Sequence, residues 1–404
     1  MSVCHIAKGT ARGVVMVPPS KSYAHRLLLA AFLSGNKVTV SNVALSNDIS
    51  ATIDCIKALG AQVTISGKSV TIEPGEYTAG ELNCRESGST LRFMIPVALA
   101  LTGTARMTGT EKLFSRGIGE YEKIFAAQGV GYTLASSSLK AEGRLSGGVY
   151  HIDGTTSSQY VTGLLFALPL LEGDSEIWIT PPVQSRPYID ITLDVLRKAG
   201  IKARMDGNHI FVGGGQKFNL PDSTVEGDWS NAAFVDIYNC IGGDVTLLGL
   251  KPHSLQGDKC YRRLFKQLGK GWCEIDLGNC IDLGPVLFTL AAMKSGARFV
   301  NTARLRIKES DRIADIVSEL EKTGASAVIG ENTVDIKPIP ASRKAALAGE
   351  KIIFDSHNDH RLAMSLTALA SQCGASISGC ESVAKSYPDF FEVIKSIGIE
   401  VQYD

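Results

Sequence analysis

The chain has 404 residues, of which 44% are hydrophobic and 20% charged, enough for two or three ordinary globular domains. Its 41 basic and 41 acidic residues cancel, so no global basic footprint marks a nucleic-acid or anionic-membrane binder, and any basic site must be local. Nine scattered cysteines, odd in number and without a CxxC pair, read as reduced buried thiols rather than a disulfide framework.

The first residues, MSVCHIAKGTARG, carry no apolar signal core, which leads to the expectation of a cytoplasmic protein. The stretch VPPSKSYAHRLLLAAFLSG follows. Its two prolines stop what precedes them, and Ala24, Leu27, Leu28 and Ala31 then repeat with helical spacing. That helix opens with Lys21, Ser22 and Arg26, although a helix N-terminus is the positive end of the dipole. Cations there need an anion to join them. Further on, LRFMIPVALALTG is the longest apolar stretch, too short to span a bilayer.

Along the chain an apolar helix, a glycine and a β-rich run recur six times, as AAFLSGNKVTV, ALALTGTARMT, LPLLEGDSEIWI, YNCIGGDVTLL, LAAMKSGARFV and LASQCGASISG. A second helix-Gly-strand element follows each copy: CIKALGAQVTI, IFAAQGVGYTL, VLRKAGIKARM, LFKQLGKGWCEI, ELEKTGASAVI and VIKSIGIEVQY. The paired glycines lie between 24 residues apart (Gly374 to Gly398) and 28 apart (Gly296 to Gly324). Glycine just past a helix is the expected left-handed cap, and the following run is apolar and β-branched. Six paired copies are too many for one core and divide into two domains of three. Candidate hinges are Pro18-Pro19 and Glu226-Gly227, with the first 18 residues expected to pair with the C-terminal half.

The helices of the first element begin at SKSYAHR, ESGSTLR, SSQY, DWSNAA, CIDLGP and NDHR, so polar and charged groups gather at one end of apolar helices. Such ends bind anions through free N–H groups and the dipole. Serines there serve equally as simple caps, but capping does not require Lys21, Arg26, Arg92 or Arg361. Further polar clusters are LFSRGIGEY with Arg116, VQSRPYID with Ser185, Arg186 and Tyr188, RIKESDR with Lys308, Glu309, Asp311 and Arg312, and AKSYPDFF with Lys385. KESDR alone would pass as a solvated charge run, yet it precedes a second-element helix as Arg116 and Ser185 do.

HNDH, with His357, Asp359 and His360, lacks a third ligand cluster and is not read as a metal site. There is no GxGxxG, no GxxxxGK[ST] and no GxSxG, which argues against nucleotide loops and serine-hydrolase chemistry.

At PSKSYAHR, SGSTLR, SRGI, SSQY, SRPYID, VEGDWSNAA, IDLGP, KESDR, NDHRLAM and AKSYPDFF the whole chain resembles the 5-enolpyruvylshikimate-3-phosphate synthase family, in family order. The resemblance implies an α/β protein of two inside-out domains, each of three βαβαββ repeats with buried helices. The domains would be residues 19–225, mainly binding shikimate 3-phosphate, and residues 1–18 plus 226–404, mainly binding phosphoenolpyruvate and carrying acid/base groups. The implied reaction moves the enolpyruvyl group of phosphoenolpyruvate to the 5-hydroxyl of shikimate 3-phosphate by addition and elimination, releasing phosphate. By motif, Lys21, Ser22, Arg26, Ser157, Ser158, Gln159, Ser185, Tyr188, Asp282 and Lys308 would hold shikimate 3-phosphate. Lys21, Gly88, Arg116, Gln159, Arg312, Arg361 and Lys385 would hold phosphoenolpyruvate, and Lys21, Asp282 and Glu309 would move protons. It implies no metal and no organic cofactor, small-molecule substrates only, no nucleic acid or membrane, a monomer, and inhibition by glyphosate.

Four positions depart from the family pattern. Glu86 and Ser87 stand in ESGSTLR where NAGTAMR is frequent, Gly117 follows Arg116 where proline is common, and Arg304 stands where an asparagine often contacts substrate. Two alternatives stay open. A UDP-N-acetylglucosamine enolpyruvyl transferase usually opens with Lys-Asn where this chain has Lys21-Ser22, and carries a loop cysteine where this chain has none between residues 84 and 240. A non-catalytic anion-binding repeat protein would gain nothing from Asp282 and Glu309 among its cations.

Overall fold

Helix Lys21–Leu33 shows why the architecture turns inside out. Ser20 caps it, its side chain accepting from the Tyr23 amide. Leu27, Leu28, Leu29, Ala30 and Ala31 then point in all directions, and each is at most 2% exposed. A helix apolar all round has no face for water and must lie inside. Burying each leucine contributes about 1.5–3 kcal/mol before the opposing chain entropy. Helices Gly88–Thr102 and Ser158–Ala167 are buried in the same way.

The computed structural model describes residues 2–347 and 350–404. Two compact units divide the chain, Pro19–Glu226 and Met1–Pro18 with Gly227–Asp404, each around its own apolar core. In the Pro19–Glu226 unit, called N-terminal below, the three inner helices pack closely. A side chain at Gly163 would collide with the Tyr121 hydroxyl and the Arg92 carbonyl of its neighbours.

Around the inner helices stand sheets of one recurring pattern. In the second copy, Glu81–Asn83 runs parallel to Thr104–Thr108, which pairs antiparallel with Ser138–Glu142, and that strand with Gly131–Leu134. Leu82, Met107 and Leu139 share a register level and are buried, while Glu81, Asn83 and Arg106 are exposed. The first copy closes with a late strand, Ser223–Thr224, set parallel to Val38–Ser41.

In the other unit, called C-terminal, the inner helices are Trp229–Cys240, Gly284–Met293 and His360–Cys373. Strand Val3–Ile6 pairs antiparallel with Ala375–Ser378 and Val401–Tyr403, filling the third place of the last sheet. Strand Arg12–Met16 runs parallel to Asp244–Leu248.

One expectation needs correcting. The fourth copy is not a full βαβαββ unit, because Asp244–Leu248 and Arg12–Met16 form a two-stranded sheet without the hairpin of the other copies. The run read as its second strand, Glu274–Asp276, pairs parallel with Ala297–Val300 and so opens the fifth sheet. Only a short turn separates Gly269 from that strand, leaving no chain for a hairpin. Among the described residues no helix is long and apolar enough to cross a membrane.

Candidate functional site

In the N-terminal unit the inner helices present their N-termini with Ser20, Ser87 and Ser157 as caps, accepting from Tyr23, Thr90 and Gln159 amides. Ser87, one of the departures from the family pattern, therefore has a plain local reason: it is 1% exposed and tied to Thr90 by backbone and hydroxyl bonds.

Lys21 at the first helical position reaches Asp48 Oδ2 at 2.9 Å. The chain itself thus supplies one of the anions that the sequence pattern assigned to a ligand. Arg26, one turn on, is 3% exposed and held by neutral acceptors. Its Nε donates to Thr192 Oγ1 at 2.8 Å, Nη1 to the Ser22 carbonyl at 2.8 Å, and Nη2 to Thr162 Oγ1 and the Tyr188 carbonyl at 3.1 Å each. Burial lowers its pKa to about 10, so it keeps its charge at neutral pH. His25 beside it is pushed well below its ordinary value by burial and by Lys21 and Arg26, and stays neutral.

Arg92 organises the next corner. Nη1 donates to Gln159 Oε1 at 2.9 Å, and Nη2 to the Arg116 and Gly117 carbonyls at 3.3 and 3.0 Å. Gln159 in turn donates to Ser89 Oγ at 2.9 Å. Gly88 lies against the same arginines, since an added Cβ would stand 2.9 Å from Arg92 Nη1 and 3.1 Å from Arg116 Nη2. Arg92 was visible in the sequence as a helix-start cation but carried no site role there. Ser185 is 1% exposed and holds φ at +56°, a left-handed conformation that a serine adopts at a cost of order 1–3 kcal/mol. Ser22, Arg26, Ser185 and Tyr188 meet through backbone carbonyls, with the Tyr188 amide donating to Ser185. Ser157 and Ser158 begin the Gln159 helix.

In the C-terminal unit the inner-helix N-termini carry carboxylates as well as cations. Asp282 lies in a one-turn segment, Ile281–Leu283, just before helix Gly284–Met293. Arg312 Nη1 and Arg361 Nη2 reach its two oxygens at 3.0 and 3.1 Å, and Lys308 Nζ lies 3.4 Å away. Arg312, 1% exposed, also meets Glu309 at 2.6 Å and Asp359 at 2.7 Å. Burial alone would lower its pKa, but Asp359, Glu309 and Asp282 hold it above the ordinary arginine range. Arg361 Nη1 donates to Ser230 Oγ at 2.7 Å, and Lys385 Nζ to the Asn358 carbonyl at 2.7 Å. Burial brings Lys308 down to about 8 against the pull of Asp282, with Arg304 adding repulsion.

Sequence reasoning missed three carboxylates. Asp359 caps helix His360–Cys373 and anchors Arg312. Asp48 faces Lys21. Asp258, buried, is raised to about 7 by burial and then by Asp282, with Arg361 and Ser230 acting the other way. Asp359 lies in the helix start NDHR and Asp48 in the first turn after the cap Ser46, and the sequence reading gave neither a site role. His357 faces Glu319 at 3.0 Å and Asp359 faces Arg312 at 2.7 Å, with His360 Nδ1 3.8 Å from Asp359. Among the described residues no group of three or more His, Cys, Asp or Glu is arranged to hold a metal ion.

The family model for EPSP synthase (3-phosphoshikimate 1-carboxyvinyltransferase) matches residues 7–279 and 264–394. A 3-phosphoshikimate 1-carboxyvinyltransferase of Clostridium kluyveri is 39% identical over 96% of both chains, and one of Clostridium perfringens 37% identical over 96% of both. An EPSP synthase structure from Acinetobacter baumannii superposes with a TM-score of 0.79 over the whole of both chains at 23% identity, a likeness of fold.

Proposed function

The chain belongs to the EPSP synthase family and performs the 3-phosphoshikimate 1-carboxyvinyltransferase reaction of the shikimate pathway, and we propose that its N-terminal unit mainly binds shikimate 3-phosphate while its C-terminal unit mainly binds phosphoenolpyruvate and carries acid/base groups. The substrates are small molecules, shikimate 3-phosphate and phosphoenolpyruvate. Ser22, Arg26, Ser157, Ser158, Gln159, Ser185 and Tyr188 bind shikimate 3-phosphate, and Lys308 and Asp282 act on it as well. Lys21, Gly88, Arg116, Gln159, Arg312, Arg361 and Lys385 serve phosphoenolpyruvate. Arg312 contributes mainly by fixing Asp282 and Glu309, since all three of its nitrogens already meet carboxylates.

Addition begins with a proton delivered to the methylene carbon, which leaves C2 cation-like. The 5-hydroxyl attacks C2 as a base takes its proton, and the tetrahedral intermediate then expels phosphate while the methyl group returns a proton. Asp282 is the base for the hydroxyl, and Glu309 with Lys21 exchanges the proton at the methylene carbon. Cations that meet the departing phosphate stabilise it, and the more so the lower the local dielectric. The observation that carries this reading is Asp282 among Lys308, Arg312 and Arg361, with Glu309 on the same arginine. A mere anion binder would be weakened by both carboxylates.

The same reading places a monomer in the cytoplasm. Phosphate release from phosphoenolpyruvate tests the assignment in one assay. Release with shikimate 3-phosphate supports it. Release with UDP-N-acetylglucosamine instead overturns the acceptor, and release with neither leaves an anion-binding protein.

A further inference from the structure

The inner helices of the C-terminal unit end together at a cavity, away from their charged N-termini. Trp229–Cys240, Gly284–Met293 and His360–Cys373 contribute Cys240, Met293 and Cys373 to its wall. The cavity has a volume of about 410 Å³, within the range of small-molecule sites. Ile241, Ile339, Leu347 and Leu369 make the rest of its apolar wall, and Lys8, Lys294 and Lys344 bring charge.

The sign of that charge can be worked out. Each helix C-terminus carries roughly half a negative charge, so three ends offset about half of three lysines. Lys344 is already committed, its Nζ donating to the Met293 carbonyl at 2.9 Å. Lys294 lines the cavity with Cys240, and Lys8 with Cys373. Burial holds both thiols up to about 11; at Cys240 Asp236 adds to the rise and Lys294 opposes it, and at Cys373 Lys8 opposes it. Asp236 is itself engaged by the Tyr261 hydroxyl and the Asn239 amide at 2.8 Å each. The acid that opposes Lys8 at Cys373, Glu350, is engaged in two bonds from Arg343 at 2.7 and 3.0 Å. A cleft that sets aliphatic side chains beside polar lining with surplus positive charge fits one class of occupant. None of these residues serves either substrate.

We propose that this cavity binds a small organic monoanion with an apolar ring, an aromatic or alicyclic carboxylate, its ring against Ile339 and Leu369 and its carboxylate met by Lys8 and Lys294. Cys240, half-buried in the wall, reports occupancy. The full-length protein is alkylated with N-ethylmaleimide, and modification of Cys240 is followed by mass spectrometry with millimolar 1-naphthoate, with 1-naphthylmethylammonium, or with both substrates. The expected result is at least tenfold slower modification with naphthoate and no slowing with the cation or the substrates. Lys8→Gln with Lys294→Gln should remove that protection while leaving phosphate release unchanged, and Lys8→Gln alone should weaken it severalfold. Absence of protection, equal protection by the cation, protection by the substrates, or protection that survives both substitutions would each overturn the proposal.

Discussion

Buried arginines at helix N-termini are handled in opposite ways by the two units. In the N-terminal unit Arg26 is held by Thr162, Thr192 and two carbonyls, and Arg92 by Gln159 and two carbonyls. In the C-terminal unit Arg312 meets three carboxylates, and Arg361 shares Asp282 with it. A buried cation with neutral partners keeps its field for an incoming anion. A buried cation matched by carboxylates is neutralised, and its fork of donors instead fixes where those carboxylates point. One kind of helix start thus leaves buried arginines on neutral partners in one unit and on carboxylates in the other.

The sharpest way to break this comparison is at the carboxylates. Asp282→Asn and Glu309→Ala should each lower turnover by about two to four orders of magnitude, as for a lost general acid or base. Phosphoenolpyruvate and shikimate 3-phosphate binding should largely survive Glu309→Ala. Thermal melts of Asp282→Asn and Asp282→Ala should each show a loss of roughly 1.5–3 kcal/mol of stability, because the asparagine amide keeps one acceptor for Arg312 or Arg361 and turns its NH2 toward the other. Unchanged turnover in both Asp282→Asn and Glu309→Ala would make these carboxylates structural.

Next in size are the cations. Lys21→Met should act on turnover and phosphoenolpyruvate, and Arg26→Ala on shikimate 3-phosphate affinity, each by roughly 1.5–3 kcal/mol as read from steady-state kinetics. Arg26→Ala should also lower the melting temperature, since Thr162, Thr192 and the Tyr188 carbonyl lose a buried donor. Near-normal affinity in Arg26→Ala would remove the anion-binding role of the N-terminal unit.

A pH series sharpens the comparison further. Lys308 titrates at about 8 in the fold against 10.5 for the free side chain, so its charge, and with it shikimate 3-phosphate affinity, should fall above pH 8 in calorimetric titrations. Lys308→Arg should flatten that limb. The folded pKa is the lower one, so the unfolded chain binds more protons and the lysine's contribution to stability grows from pH 8 to 10.5. Asp258 behaves oppositely. Its folded value of about 7 exceeds the ordinary 3.8, so its contribution is complete below pH 3.8 and is lost as pH rises through 7. Asp258→Asn should therefore raise the melting temperature more at pH 8 than at pH 5, and an equal change at both would contradict the assignment.

The smallest effect is expected at Gly88→Ala. The new methyl would press on Arg92 Nη1 and Arg116 Nη2 at 2.9 and 3.1 Å, contacts that two flexible side-chain ends relieve by shifting. Glyphosate inhibition and phosphoenolpyruvate affinity should weaken severalfold with turnover little changed. An enzyme already insensitive at millimolar glyphosate would show that Glu86 and the arginines close that corner without the methyl.

Much of the architecture is legible along the chain because helix-Gly-strand is a local signal. Leu27 to Ala31, apolar on every face, already demands an inner helix, and Gly103 and Gly129 end their helices in the left-handed conformation that glycine tolerates. The fourth copy misled for an equally local reason. Lys270 to Ile275 has strand composition, but pairing partners are chosen by register with Ala297–Val300, which no local pattern encodes.

Residue types and their place at helix starts were likewise determined by the sequence alone: Lys21, Arg26, Arg92 and Arg361 sit where an anion is needed. What those cations do was decided only by tertiary structure. Lys21 finds Asp48 at a separation of 27 residues and Arg312 finds Asp359 at 47, whereas Arg26 finds threonines 136 and 166 residues away. Charge pairing depends on distance in space with an inverse dependence on separation and dielectric, and both are set by the fold. The sequence names the groups, and the packing of the inner helices decides which of them keep their charge for a substrate.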